Sequence, residues 1–166
     1  MGLDQILEAA ETVGSRDQDR QATFREEFAA YEAGETATFD ETRAALAAER
    51  EALETLDSVL DNEESNIEEF VDETAFLTAD QAVRHREATV EKLREHNTHL
   101  REFHEAMTNA LDAVEENLET LERDGPDTVD ADPEPEFERA YDALDAHNET
   151  IDGLGRNMTI LNAYLI

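Results

Sequence analysis

Residues 90–121 read VEKLREHNTHLREFHEAMTNALDAVEENLETL. Apolar side chains recur there with a seven-residue period. Val90, Leu111 and Leu118 take the a position; Leu93, Leu100, Met107, Val114 and Leu121 take d. Such a repeat predicts a long amphipathic helix and excludes a strand, whose apolar period is two. Asp80 is a candidate cap at its start, and Gly125 follows its end. At 1.5 Å per residue, residues 81–123 would span roughly 64 Å, a length ordinary for a coiled coil and unusual for a globular helix.

The same period extends outward. Phe39, Leu46, Leu53, Leu60 and Ile67 repeat every seven residues in a second segment, where Thr42, Glu49 and Glu63 interrupt the other seam position. Asp40 is its candidate N-cap. Phe137, Leu144, Ile151, Met158 and Leu165 repeat likewise in a last segment, with Ala140, His147, Leu154 and Leu161 on d. The first segment is weaker: Leu3, Ile6, Ala10 and Val13 form a seam that Gly14 to Arg20 interrupts, before a stripe of Phe24, Phe28 and Tyr31. All three prolines fall between Asp124 and Pro135, an acidic linker. These boundaries predict one all-α domain over residues 1–166, an elongated antiparallel helical bundle or coiled coil of about four helices. The helices are expected at 3–33, 37–73, 80–123 and 135–165, with a linker at 124–134. The spacing further predicts left-handed supercoiling. In the antiparallel register read from the seams, Leu60 meets Leu93, Leu53 meets Leu100, and His104 lies near Leu154 and away from His147.

Charge narrows the functional classes. The chain carries 44 Asp plus Glu against 13 Lys plus Arg, for a net charge of -31, and its one lysine is Lys92. That balance argues against a protein that grips nucleic acid through its phosphates. The absence of cysteine excludes disulfides, zinc–thiolate sites and thiol catalysis. Like-charge pairs four apart on a helix, such as Glu64/Glu68, Glu69/Glu73 and Glu115/Glu119, each cost roughly 0.2–0.5 kcal/mol in dilute buffer. Molar salt, with a Debye length of about 3 Å, largely removes that cost. The dense acidic surface and the preference for arginine over lysine resemble proteins of extremely halophilic archaea, a likeness of composition only. It implies a salt-rich cytoplasm. Residues 1–6, MGLDQI, show no basic region or apolar run of a secretion signal, and no segment is apolar enough to span a membrane.

Few residues suggest chemistry. Four of the five histidines (His85, His96, His99 and His104) lie in the third segment, among most of the basic residues of the neighbourhood. Arg84, Arg86, Lys92, Arg94, His96, His99 and Arg101 are therefore a candidate partner patch, locally balanced within a very acidic chain. Asn97 and His104 occupy successive a positions and form a candidate polar seam layer, a device that can fix register and oligomer state. The least charged stretch holds Met158, Ile160, Leu161, Tyr164, Leu165 and Ile166, a candidate association end. No histidine has a glutamate three residues before it, so the Glu-x-x-His signature of di-metal bundles is missing. Asp130 as the first residue of a calcium loop would put Pro135 where glycine is required. No catalytic, cofactor or metal site is expected. The pattern fits a non-enzymatic scaffold or adaptor that self-associates or binds another protein. The alternative is a monomeric regulatory or ligand-binding bundle that uses the His/Arg patch.

Overall fold

The computed structural model describes residues 2–165, the side chain of Leu165 excepted. Four long helices run antiparallel in sequence: α1 (Leu3–Glu32), α2 (Asp40–Glu73), α3 (Asp80–Asp124) and α4 (Glu134–Leu165). A short 3-10 turn at Pro126–Thr128 lies in the acidic linker, and there is no strand among the described residues. The chain is an all-α helical bundle.

Three apolar clusters stack along it. At one end Phe39, Leu118 and Leu121 pack with Phe24, Phe28 and Tyr31. The rings lie 5.3–6.1 Å apart, and the Tyr31 hydroxyl donates to the Leu121 carbonyl at 2.9 Å. The middle cluster draws on every helix, with Ile6 and Val13 from α1, Leu53 and Leu60 from α2, Leu100 and Met107 from α3, and Ala140 and Ala143 from α4. At the far end Ile67, Val90, Leu93 and Leu154 meet Leu3, Phe70 and Met158. Each fully buried leucine contributes about 1.5–3 kcal/mol over its exposed state. The seams are thus filled by partners from the same chain.

Local chemistry explains the turns. Gly34 has φ +74°, with Glu35 N–H donating to the Ala30 carbonyl and Gly34 N–H to that of Tyr31. This is the Schellman arrangement, in which the left-handed residue must be cheap in steric terms. Gly125, at φ +87°, ends α3 in a similarly glycine-favouring conformation. Neither Asp40 nor Asp80 caps its helix; each is the first helical residue, and the N-cap positions are Phe39 and Ala79. The α2 N-terminus is satisfied from outside. The Glu27 carboxylate on α1 accepts from Glu41 N–H at 3.0 Å and Thr42 N–H at 2.7 Å, and Glu122 on α3 accepts from Phe39 N–H at 2.9 Å. Carboxylates there also complement the positive end of the helix dipole.

Further sequence expectations give way. First, α1 is continuous through Gly14 to Arg20, because Asp17 and Arg20 are buried in a charge network and not a surface break. Second, α2 and α3 are offset by one heptad from the register expected. Leu60 clusters with Leu100, and Leu93 with Ile67. A seven-residue repeat looks the same after a shift of seven, so the apolar pattern cannot select between the two. Cross-helix ion pairs can. Arg50 meets Asp112 and Glu115 at 2.8 Å, Arg101 meets Asp61 at 2.6 Å, and Arg43 meets Glu122 at 2.6 Å. The α3–α4 register also differs: His147 packs against His96, while His104 lines a depression with Arg50, Leu53 and Glu54 on the α2 side.

Candidate functional site

Between the middle and far apolar clusters lies a polar layer. Glu63 of α2, His96 and Asn97 of α3, and His147 and Thr150 of α4 are all buried. The two histidines are fully enclosed, with Nδ1 atoms 2.7 Å apart and ring centroids 4.4 Å apart. One ring must be the Nδ1–H tautomer that donates, and the other accepts. Both Nε2 atoms, the Asn97 Oδ1 and the Glu63 Oε1 are buried without a protein hydrogen-bond partner. The other Glu63 oxygen accepts from Gly2 N–H at 3.3 Å and from the Asn66 amide at 3.2 Å. Burial pushes both imidazoles down to about 4, and the neighbouring histidines add to it. The pair is therefore neutral at pH 7.

A second polar layer sits inside the middle of the bundle. Arg20 donates through Nε to Glu49 at 2.6 Å and through its terminal nitrogen to Asp17. Gln21 and the Tyr141 hydroxyl of α4 also donate to Asp17, and the guanidinium lies 5.1 Å from the centre of the Phe137 ring. The network joins α1, α2 and α4. Burial raises the Glu49 carboxyl to about 7, while Arg20 opposes the shift. Burial and the hydrogen bond to Asp17 raise the Tyr141 phenol. The second Glu49 oxygen has no protein partner.

On the surface, α2 and α3 leave a groove of about 270 Å³ between them. Glu64, Glu68, Arg94, Thr98 and Arg101 line it, and the buried Ile67 and Asn97 border it. Arg101 is held by Asp57, Asp61 and Glu64, and its pKa is raised chiefly by the hydrogen bond to Asp61. Arg94 and Glu68 enter no ion pair among the described residues, with each other included.

The basic residues singled out from sequence are distributed around α3. Arg94 and Arg101 face the α2 groove, and Arg86 donates to the Thr74 carbonyl at 3.2 Å. Arg84 is exposed near the start of α3. Lys92 pairs with Glu95 at 2.6 Å, and His99 lies 3.8 Å from the same carboxylate. His96 is inside the bundle. Of the expected polar seam layer, Asn97 is buried and His104 is half-buried. At the association end Leu161 is buried and Met158 half-buried, whereas Ile160 and Tyr164 are exposed. The side chain of Leu165 and all of Ile166 lie outside the described residues.

Sequence reasoning missed that Glu63 and the Asp17–Arg20–Glu49 set are buried polar groups. The signal was present: Glu49 and Glu63 fall on the apolar seam of α2. Among the described residues no three His, Asp or Glu side chains have metal-binding geometry, and no helix is long and apolar enough to cross a membrane. No protein-family model, curated protein or solved structure matches this chain.

Proposed function

We propose that the chain is a non-enzymatic binding and regulatory module: a single-chain helical bundle that works at high salt. One observation carries the reading. All four apolar seams find their partners within one chain, so association is not needed to bury them. What remains at the surface is a groove between α2 and α3, lined by charges of both signs, in a chain of net charge -31. A basic or zwitterionic partner is attracted or tolerated by such a field, and an anionic one is repelled.

Self-association as a scaffold is the second reading. Ile160 and Tyr164, 37% and 38% exposed on the last turns of α4, favour it. The double variant Ile160→Glu, Tyr164→Glu separates the two. The module reading expects unchanged molar mass and helix content. A parent oligomer that the variant dissociates would establish the scaffold instead.

A further inference from the structure

We propose that the bundle is built as two rigid hairpins, α1–α2 and α3–α4, which part along the α1–α4 seam, and that Tyr141 and Phe137 are the latch that holds this seam shut. The inference goes beyond the binding-module reading, because it concerns how the core becomes reachable and not what binds.

Backbone spacing sets the seam apart. Among the described residues, Cα atoms approach within 8 Å between α1 and α2, between α2 and α3, and between α3 and α4, but none of α1 comes that close to α4. With Cα atoms about 2.3 Å from each axis, the α1 and α4 axes stand roughly 12 Å or more apart, against about 8–10 Å for packed helices. Side chains alone bridge the distance. The Tyr141 hydroxyl donates to Asp17, and the Phe137 ring lies 5.1 Å from the Arg20 guanidinium. Tyr141 is 43% exposed, so water replaces its hydrogen bond when the seam parts.

The opposite edge is the spine. Among the described residues, every ion pair that joins the two hairpins runs from α2 to α3: Arg43 to Glu122, Arg50 to Asp112 and Glu115, and Arg101 to Asp57, Asp61 and Glu64. The buried polar groups divide the same way. Asp17, Arg20 and Glu49 belong to α1 and α2, and Glu63 accepts from Gly2 and Asn66 of that hairpin. His96 and His147 belong to α3 and α4. Parting the hairpins therefore strips no buried charge of its counter-ion, the step that makes most openings of a polar core costly. What α4 withdraws is a neutral hydroxyl and a ring. The aromatic cluster and the Tyr31 bond to Leu121 tie α1 to α3 at one end, so the seam opens from the middle toward the other end. Exposure of the middle apolar cluster opposes the motion and keeps the closed form dominant.

The test is thiol modification under native conditions, in about 2 M KCl to screen the surface. The chain has no cysteine, so single reporters are unambiguous. Ala10, seven residues before Asp17 and so on the same face of α1, reports the seam. Ala9 lines the α1–α2 side with Ala52 and is a matched control, since both alanines are 6% exposed. Ala106, buried on α3, reports the second hairpin. The expected result is that Ala10→Cys reacts at least about tenfold faster than Ala9→Cys and Ala106→Cys, with a shallower dependence on urea, as a partial opening requires. Adding Tyr141→Phe should speed the Ala10 reporter roughly two- to tenfold, the worth of one hydrogen bond, and Phe137→Leu should act in the same direction. Equal rates and equal urea dependence at all three reporters would mean that the bundle opens only as a whole, and overturn the proposal. So would an Ala10 rate that neither latch variant changes. A rate at Ala10 that falls as protein concentration rises would show another copy covering the seam, and overturn it too.

Discussion

His96 and His147 bond to each other through Nδ1 atoms 2.7 Å apart, in a layer closed to solvent between two apolar clusters. The pair ties α3 to α4 where leucine would otherwise be expected. It also makes the core sensitive to acid. Both rings have folded values of about 4, below the unfolded value of about 6.5. The unfolded chain therefore binds protons first, and stability is lost as pH falls from about 6.5 to about 4. The double variant His96→Leu, His147→Leu should flatten this part of the profile in denaturant melts at fixed high salt. An unchanged acid slope would place the responsible groups elsewhere.

Glu49 has the opposite sign. Its folded value of about 7 lies above the unfolded value of about 4.3, so the native state binds the extra proton. Stability from this group is present at pH below about 4.5 and is lost as pH rises through about 7. Glu49→Gln should therefore gain about 1–3 kcal/mol on the parent between pH 5 and pH 8. Parallel pH profiles for parent and variant would contradict the assignment.

Among the described residues Arg20 is the only cation in a network with two buried carboxylates, Asp17 and Glu49. Above pH about 7, where Glu49 is ionised, Arg20→Met leaves them uncompensated and should cost about 3–5 kcal/mol, as loss of one partner of a buried ion pair does. Neutralising both carboxylates alongside it, through Asp17→Asn and Glu49→Leu, should recover much of that stability. Chemical denaturation of the single and triple variants gives the comparison.

The surface predicts salt-dependent folding. Acidic pairs along α2 and α3 repel at low ionic strength, against a net stability of only about 5–15 kcal/mol for a domain. Circular dichroism should show helix lost on dialysis into salt-free buffer and regained on return to molar KCl. Full helix content without salt would refute this.

The helices themselves were legible because a seven-residue repeat is local: Val90 to Leu121, Phe39 to Ile67 and Phe137 to Leu161 each carry it unaided. The glycine ends were legible too, since Gly34 and Gly125 adopt backbone conformations other residues resist. Register was not, because Leu60 fits Leu93 and Leu100 equally well by pattern. The choice rests on Arg50 and Arg101 finding carboxylates on the facing helix. The same ambiguity hid the His96–His147 contact, which depends on the α3–α4 offset. The α2–α3 groove was half visible. Arg94, Asn97 and Arg101 stood out in sequence, but Glu64 and Glu68 looked like any other acidic residues until the fold set them opposite.

The most direct measurement is molar mass and shape in about 3 M KCl, by light scattering combined with small-angle X-ray scattering, at a salt level that screens the surface. The account predicts the mass of one chain, 18.7 kDa. It also predicts the profile of a four-helix bundle about as long as α3, whose 45 residues span roughly 67 Å at 1.5 Å each. A dimer or larger assembly, or a single chain markedly longer than α3, would contradict it, because the seams would then be closed by another molecule or left open.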